Sequence, residues 1–171
     1  MEGWRSLGRW SPERYKEVVR KAKNPSYYQI LVTLYIATHI LNYEGLCIYD
    51  LTRLRTLKVS SSVARKAMVT FYEYGLLEFK RMRSRRGKER IIYRIKPNLV
   101  DNVRRIINDA ERKMFEEEIK HHRVFEFFNG RLGHPGRWKD EEKERLHKRL
   151  EEFKKRVREE LEELRERRRE P

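Results

Sequence analysis

One stretch limits the fold more than any other: SYYQILVTLYIATHILNY, from Ser26 to Tyr43. It is apolar over most of a helical circumference, and a helix of that kind has to be surrounded by protein. The chain around it has 171 residues, 40% of them charged and 38% hydrophobic. One modest core can be built about this helix, and part of the remainder must be solvated helix. No apolar run reaches the length of a membrane span, and MEGWRSLGRW at the N-terminus has no signal-peptide core. A soluble, cytoplasmic protein with no membrane partner is therefore expected. Gly45 is expected to end the helix.

The remaining elements follow from punctuation and period. Ser11-Pro12 reads as an N-cap with proline at the first helical position, opening a helix that Asn24-Pro25 stops near Lys23. Trp4, Trp10 and Tyr15 would pack this arm onto the body or a partner chain, with nucleic-acid stacking as the alternative for the tryptophans. After the apolar helix, LCIY (Leu46 to Tyr49) reads as a short strand. Asp50 is placed to cap a short helix through Arg55, with Leu51 and Leu54 inward. Ser60 caps the next helix, where Ala64, Ala67, Met68 and Phe71 recur at helical spacing and Gly75 closes it. LLEF begins a strand, Gly87 sits in a turn, and RIIYRIK is a second strand with Ile91, Tyr93 and Ile95 on one face, stopped by Pro97.

Charge is unevenly spread. Formal net charge is +15, yet residues 139–171 carry 13 Lys or Arg against 12 Asp or Glu. The excess lies in residues 1–138, and it peaks in the hairpin: Lys80 to Lys96 holds nine Lys or Arg and one acid, Glu89. A basic loop on a hairpin is stabilised by a polyanion, which relieves its self-repulsion. Arg83, Arg85, Arg86 and Lys88 would form the tip, able to track phosphates or enter a minor groove. Gln29 is the only glutamine, and the abundance of Arg, Lys and Glu leans towards a heat-adapted composition.

The order helix, short strand, helix, turn, helix, strand, basic turn, strand resembles the winged helix-turn-helix domain of MarR-like and PadR-like regulators in the broad sense. DLTRLRTLKVSSSVARKAMVTFYEYGLLEFKR and ERIIYRIKP carry the resemblance, within residues 26–97. It implies a mainly α fold with a small β-hairpin wing, and a recognition helix over 60–74 whose first turn approaches base edges. Ser61, Ser62, Arg65 and Lys66 are the candidates there, since Arg and Lys can pair with guanine and hydroxyls donate or accept. The bland alternative makes Ser61 and Ser62 supplements to the cap and Arg65 a solvated charge. Arg53, Arg55 and Lys58 would add phosphate contacts.

The flanks divide into an N-terminal arm (1–25), a long helix (98–128) capped by Asn98, a Gly-rich bend (129–139) and a charged helix (140–171). In the last, Leu146, Leu150, Phe153, Val157, Leu161 and Leu164 form a narrow stripe of coiled-coil type. The stripe can pair within the chain as a helical hairpin or between chains. A homodimer is preferred, since a narrow leucine stripe suits self-association and a two-fold dimer presents two recognition helices.

No enzymatic chemistry is legible. The five histidines lack ligand spacing, and no phosphate loop, nucleophile elbow or zinc-hydrolase motif occurs. No catalytic residue, metal or cofactor is expected. Cys47 reads as a buried small residue, with redox sensing as the alternative. The expected function is double-stranded DNA binding by a transcriptional regulator. The alternatives are a non-sequence-specific architectural, replication or plasmid-maintenance protein, an RNA binder, or a protein-interaction module docking through the stripe.

Overall fold

The computed structural model of the chain describes residues 3–83, 86–128 and 135–169, with side chains described outside 118–140 and 169. The described residues are mainly helical, with one two-stranded antiparallel sheet. Ser11 caps as expected: its Oγ accepts from the Glu13 amide, and a 3-10 turn (Pro12–Arg14) leads into α1 (Tyr15–Ala22). Asn24 stops that helix and starts the next. Its side-chain oxygen accepts from the Ser26 amide at 3.0 Å, with Pro25 first in α2 (Pro25–Tyr35).

α2 is the central buried helix, with Ile30, Leu31 and Leu34 fully covered. It continues as a wider π turn over Ile36–Ile40, in which the Leu41 amide bonds the Ile36 carbonyl. Gly45 does not end it. The chain turns at Asn42, whose φ of +55° lies in the left-handed region that asparagine tolerates. Gly45 serves a close approach instead. A Cβ there would stand 2.9 Å from the Tyr93 carbonyl oxygen, and its absence lets Leu46 and Tyr93 exchange two backbone hydrogen bonds.

That single bridge is all the strand character of LCIY, because Ile48 already belongs to α3 (Ile48–Arg53). Asp50 is therefore not the cap. It sits in the first turn and reaches back to accept from the Cys47 amide at 3.0 Å. Leu51 and Leu54 point inward as expected. Ser60 caps α4 (Ser61–Glu73) by accepting from the Val63 amide at 3.2 Å, and Ala64, Ala67, Met68 and Phe71 are fully buried. Gly75 follows with φ +83°, and a Cβ there would also lie 2.6 Å from the Trp10 amide nitrogen, so the turn and the arm both require glycine.

β1 (Leu77–Arg83) and β2 (Glu89–Ile95) pair in register from Leu77 opposite Ile95 to Arg83 opposite Glu89. Ile91, Tyr93 and Ile95 share a face, but cover is lost along it: Ile95 is 2% exposed and Ile91 43%. On the opposite face Ile92 is buried where Gly45 leaves room.

Asn98 lies inside a 3-10 turn (Pro97–Leu99) rather than capping α5 (Val100–Phe128). The final helix, α6 (Pro135–Arg169), begins ahead of Asp140. Of the stretch read as a bend, 129–134 lie outside the described residues.

The leucine stripe packs within the chain. Leu146, Val157, Leu161 and Leu164 are buried by the chain itself, and Leu150 and Phe153 pack against the same core. The reason is α2, which needs cover all round: α6 shields a side that α5 and the other helices leave open. Aromatic and polar contacts fix α6 from Phe153 to Arg168. Phe153 packs on Tyr28, Lys154 meets Glu111 at 2.7 Å, and the Tyr43 hydroxyl donates to the Leu161 carbonyl. Arg165 lies 4.6 Å over the Tyr43 ring and donates to the Leu41 carbonyl, and Arg168 pairs with buried Asp50.

This packing predicts an alkaline transition. Burial, with the Glu111 carboxylate that accepts its hydrogen bond at 2.6 Å, raises the Tyr28 phenol well above its usual range. Burial and Asp109 push Tyr15 up to about 12, and burial raises Tyr43. Groups whose folded pKa is raised contribute stability that is fully present below the unfolded value and is lost as pH rises through the folded one. Thermal stability should fall as pH climbs from about 10 towards about 12. Tyr28→Phe should make that fall shallower in melts across the series. An equal fall in the variant would remove Tyr28 as its source.

Candidate nucleic-acid interface

The inner face of α4 is fixed by Ala64, Ala67, Met68 and Phe71. At about 100° per residue, the side opposite carries Ser62, Arg65, Lys66, Val69 and Glu73. All five are exposed, as is Ser61 at the start of the helix. Ser60 takes the cap, and neither Ser61 nor Ser62 has a side-chain hydrogen bond among the described residues. The alternative in which those two hydroxyls supplement the cap has no support here, and both are available to a partner.

Tyr72, three residues beyond Val69, ties this helix to the hairpin. Its ring meets Phe79 at 5.4 Å and Tyr93 at 6.4 Å, both edge to face, and Phe79 and Tyr93 are cross-strand partners. Burial raises the Tyr93 phenol while the charge of Arg65 lowers it, and burial raises Tyr72 while Arg5 lowers it. Arg65 and Arg5 thus stand close to the aromatic cluster from two separate elements. Strand alternation puts Arg81 and Arg83 on the same face as Phe79, further out along β1.

The basic run divides in two. Near the core its cations are used by the chain: Lys80 pairs with Glu44 and Arg94 with Glu78, each at 2.6 Å, and Lys96 donates to the Gly8 carbonyl at 2.9 Å. Further out, Arg83 and Arg86 are exposed and have no ion-pair partner among the described residues. Lys88 is exposed beside Gly87, whose φ of +79° makes the turn. Arg85 lies outside the described residues.

Arg53, Arg55 and Lys58 are exposed, and each stands at a contact made within the chain. Arg53 stacks 5.0 Å over Tyr49, and the Lys58 amide donates to Gln29. The amides of Arg55 and Thr56 donate to the Glu160 carboxylate of α6 at 2.8 and 3.0 Å. A carboxylate at the α3–α4 connection offsets positive potential there, so these three residues are weaker candidates than the hairpin cations.

The arm is expected to pack on the body, but its pairing with β1 has no sign in the sequence. Arg5 exchanges two backbone hydrogen bonds with Phe79, adding one rung to the free edge of β1. The neighbouring Trp4 lies 3.9 Å over the Arg94 guanidinium and 5.6 Å from the Lys80 ammonium. This answers the choice left open for Trp4: it packs on the base of the hairpin. No local pattern signals a pairing between residues so far apart in sequence.

Cys47 is buried, and burial followed by the nearby Asp50 raises its thiol pKa, which disfavours the reactive thiolate. Among the described residues no helix is long and apolar enough to cross a membrane, and no cluster of three or more His, Cys, Asp or Glu could hold a metal ion. Comparison with protein-family models, with curated proteins and with solved structures found no match.

Proposed function

We propose that this chain binds double-stranded DNA through α4 and the β1–β2 hairpin, and that it acts as a transcriptional regulator of winged-helix type. The observation that carries the reading is the junction of two surfaces. The open face of α4, with Ser61, Ser62, Arg65 and Lys66, is joined through Tyr72, Phe79 and Tyr93 to a hairpin on which Arg83 and Arg86 are exposed and hold no ion pair among the described residues. A helix with small polar groups at its start can enter a major groove, while a projecting basic hairpin follows phosphates or the adjacent minor groove. The order α2, Leu46 bridge, α3, α4, β1, β2 supports the winged-helix assignment, including the pairing of Leu46 with the second strand of the hairpin. The alternative of docking through the leucine stripe is less well supported, because that stripe is covered.

The test is a binding selection from random duplex DNA at about 50 and about 200 mM salt. Enrichment of a defined motif is expected, with affinity falling steeply between the two conditions. Retention without a motif would replace regulation by coating, and no retention at either salt would end the DNA reading.

A further inference from the structure

The outer face of α4 has an apolar centre. Val69 is 39% exposed, and about 100° per residue places it between Ser62, Arg65, Lys66 and Glu73, opposite the buried Phe71 side. It makes no contribution to the core, and a β-branched residue on an exposed helix surface is no aid to helix formation. A solubilising face would be better served by a polar residue at this point. The hairpin also has an exposed branched side chain on its α4-facing side, Ile91 at 43%.

The major groove presents hydrogen-bonding edges together with one apolar group, the C5-methyl of thymine. A base edge suits a valine ringed by a hydroxyl, cations and a carboxylate: the polar ring meets donors and acceptors, and the valine methyls meet the pyrimidine methyl. We infer that Val69 is a specificity residue that packs on the C5-methyl group of a pyrimidine in the bound duplex, that of thymine or of 5-methylcytosine. This rests on the DNA reading above and names one base feature within it.

The experiment removes only the methyl group. In the duplex selected by the wild-type protein, each thymine is replaced in turn by deoxyuridine, and binding is measured for wild type and for Val69→Ala. Wild type should lose about three- to tenfold affinity at one or two positions, from withdrawal of a single buried methyl group. Val69→Ala should bind the thymine and deoxyuridine duplexes equally at those positions. Placing cytosine and then 5-methylcytosine there distinguishes the sources: tighter binding to 5-methylcytosine than to thymine would identify methylated DNA as the target. Indifference of the wild type to every deoxyuridine would overturn the inference. So would an undiminished methyl effect in Val69→Ala, since another residue would then make the contact. In both cases, sequence-specific binding of the parent duplex would leave the DNA reading standing. Absence of any selected duplex would remove both.

Discussion

Replacing Arg65, Arg83 and Arg86 together with alanine is expected to lower duplex affinity by about a hundredfold or more at low salt and to flatten its salt dependence. Each lost phosphate contact removes about 0.9 from the log–log salt slope, so the two hairpin arginines should reduce it by about 2. Arg65 stands on α4, and loss of a bidentate base contact there costs about 1–3 kcal/mol and relaxes preference at one position. The single variants separate the roles. Arg65→Ala should alter which sequences are preferred, whereas Arg83→Ala with Arg86→Ala should weaken all duplexes alike. Fold should be preserved, because all three side chains are exposed and Arg83 and Arg86 hold no ion pair among the described residues. Affinity and slope unchanged in the triple variant would exclude the α4–hairpin face as the binding surface. By contrast, Lys80→Ala or Arg94→Ala would disturb Glu44, Glu78 and Trp4, and would report on the hairpin's anchoring.

Leu161→Asp is expected to destabilise the protein by at least about 3 kcal/mol and to release the C-terminal part of α6. Leu161 is fully buried, and its carbonyl accepts the Tyr43 hydroxyl. Trading a buried leucine for alanine alone costs about 2–5 kcal/mol, and a carboxylate adds its own desolvation. Domains hold about 5–15 kcal/mol in total, so the loss should be plain in a thermal melt. The same substitution decides what the stripe does. If it serves the chain's own core, the wild-type midpoint is independent of protein concentration and the variant's loss is unimolecular. A midpoint that rises with concentration, with a dimer in sedimentation converted to monomer by Leu161→Asp, would return the stripe to pairing between copies. Released α6 would also free the Arg55 and Thr56 amides from Glu160.

Much of the local structure could be read from the chain because short-range chemistry sets it. Ser11, Asn24 and Ser60 cap within three residues of themselves, and Gly75 and Gly87 adopt positive φ where turns were expected. Expectation and structure part where a residue answers to a distant neighbour. Gly45 is expected as a helix stop, but it is a glycine because the Tyr93 carbonyl approaches it closely. Asp50 is expected as a cap, but it sits in the first turn of α3, where it serves both the Cys47 amide and Arg168. The hairpin cations look alike in sequence, and distance from the core separates Lys80, Arg94 and Lys96, held by Glu44, Glu78 and the Gly8 carbonyl, from Arg83 and Arg86, which hold no ion pair among the described residues.

The sequence by itself determined the set of helices and the hairpin, because caps, turns and hydrophobic period act over a few residues. It also determined that α2 would be buried, since no other fate suits a helix apolar on nearly every side. The tertiary structure alone decided what covers α2, and so turned the stripe of α6 inward. It alone brought Arg5 to the edge of β1 and joined α4 to the hairpin through Tyr72, Phe79 and Tyr93. Those outcomes depend on which apolar surfaces are left over once the helices pack, and that quantity belongs to the assembled fold rather than to any segment of the chain.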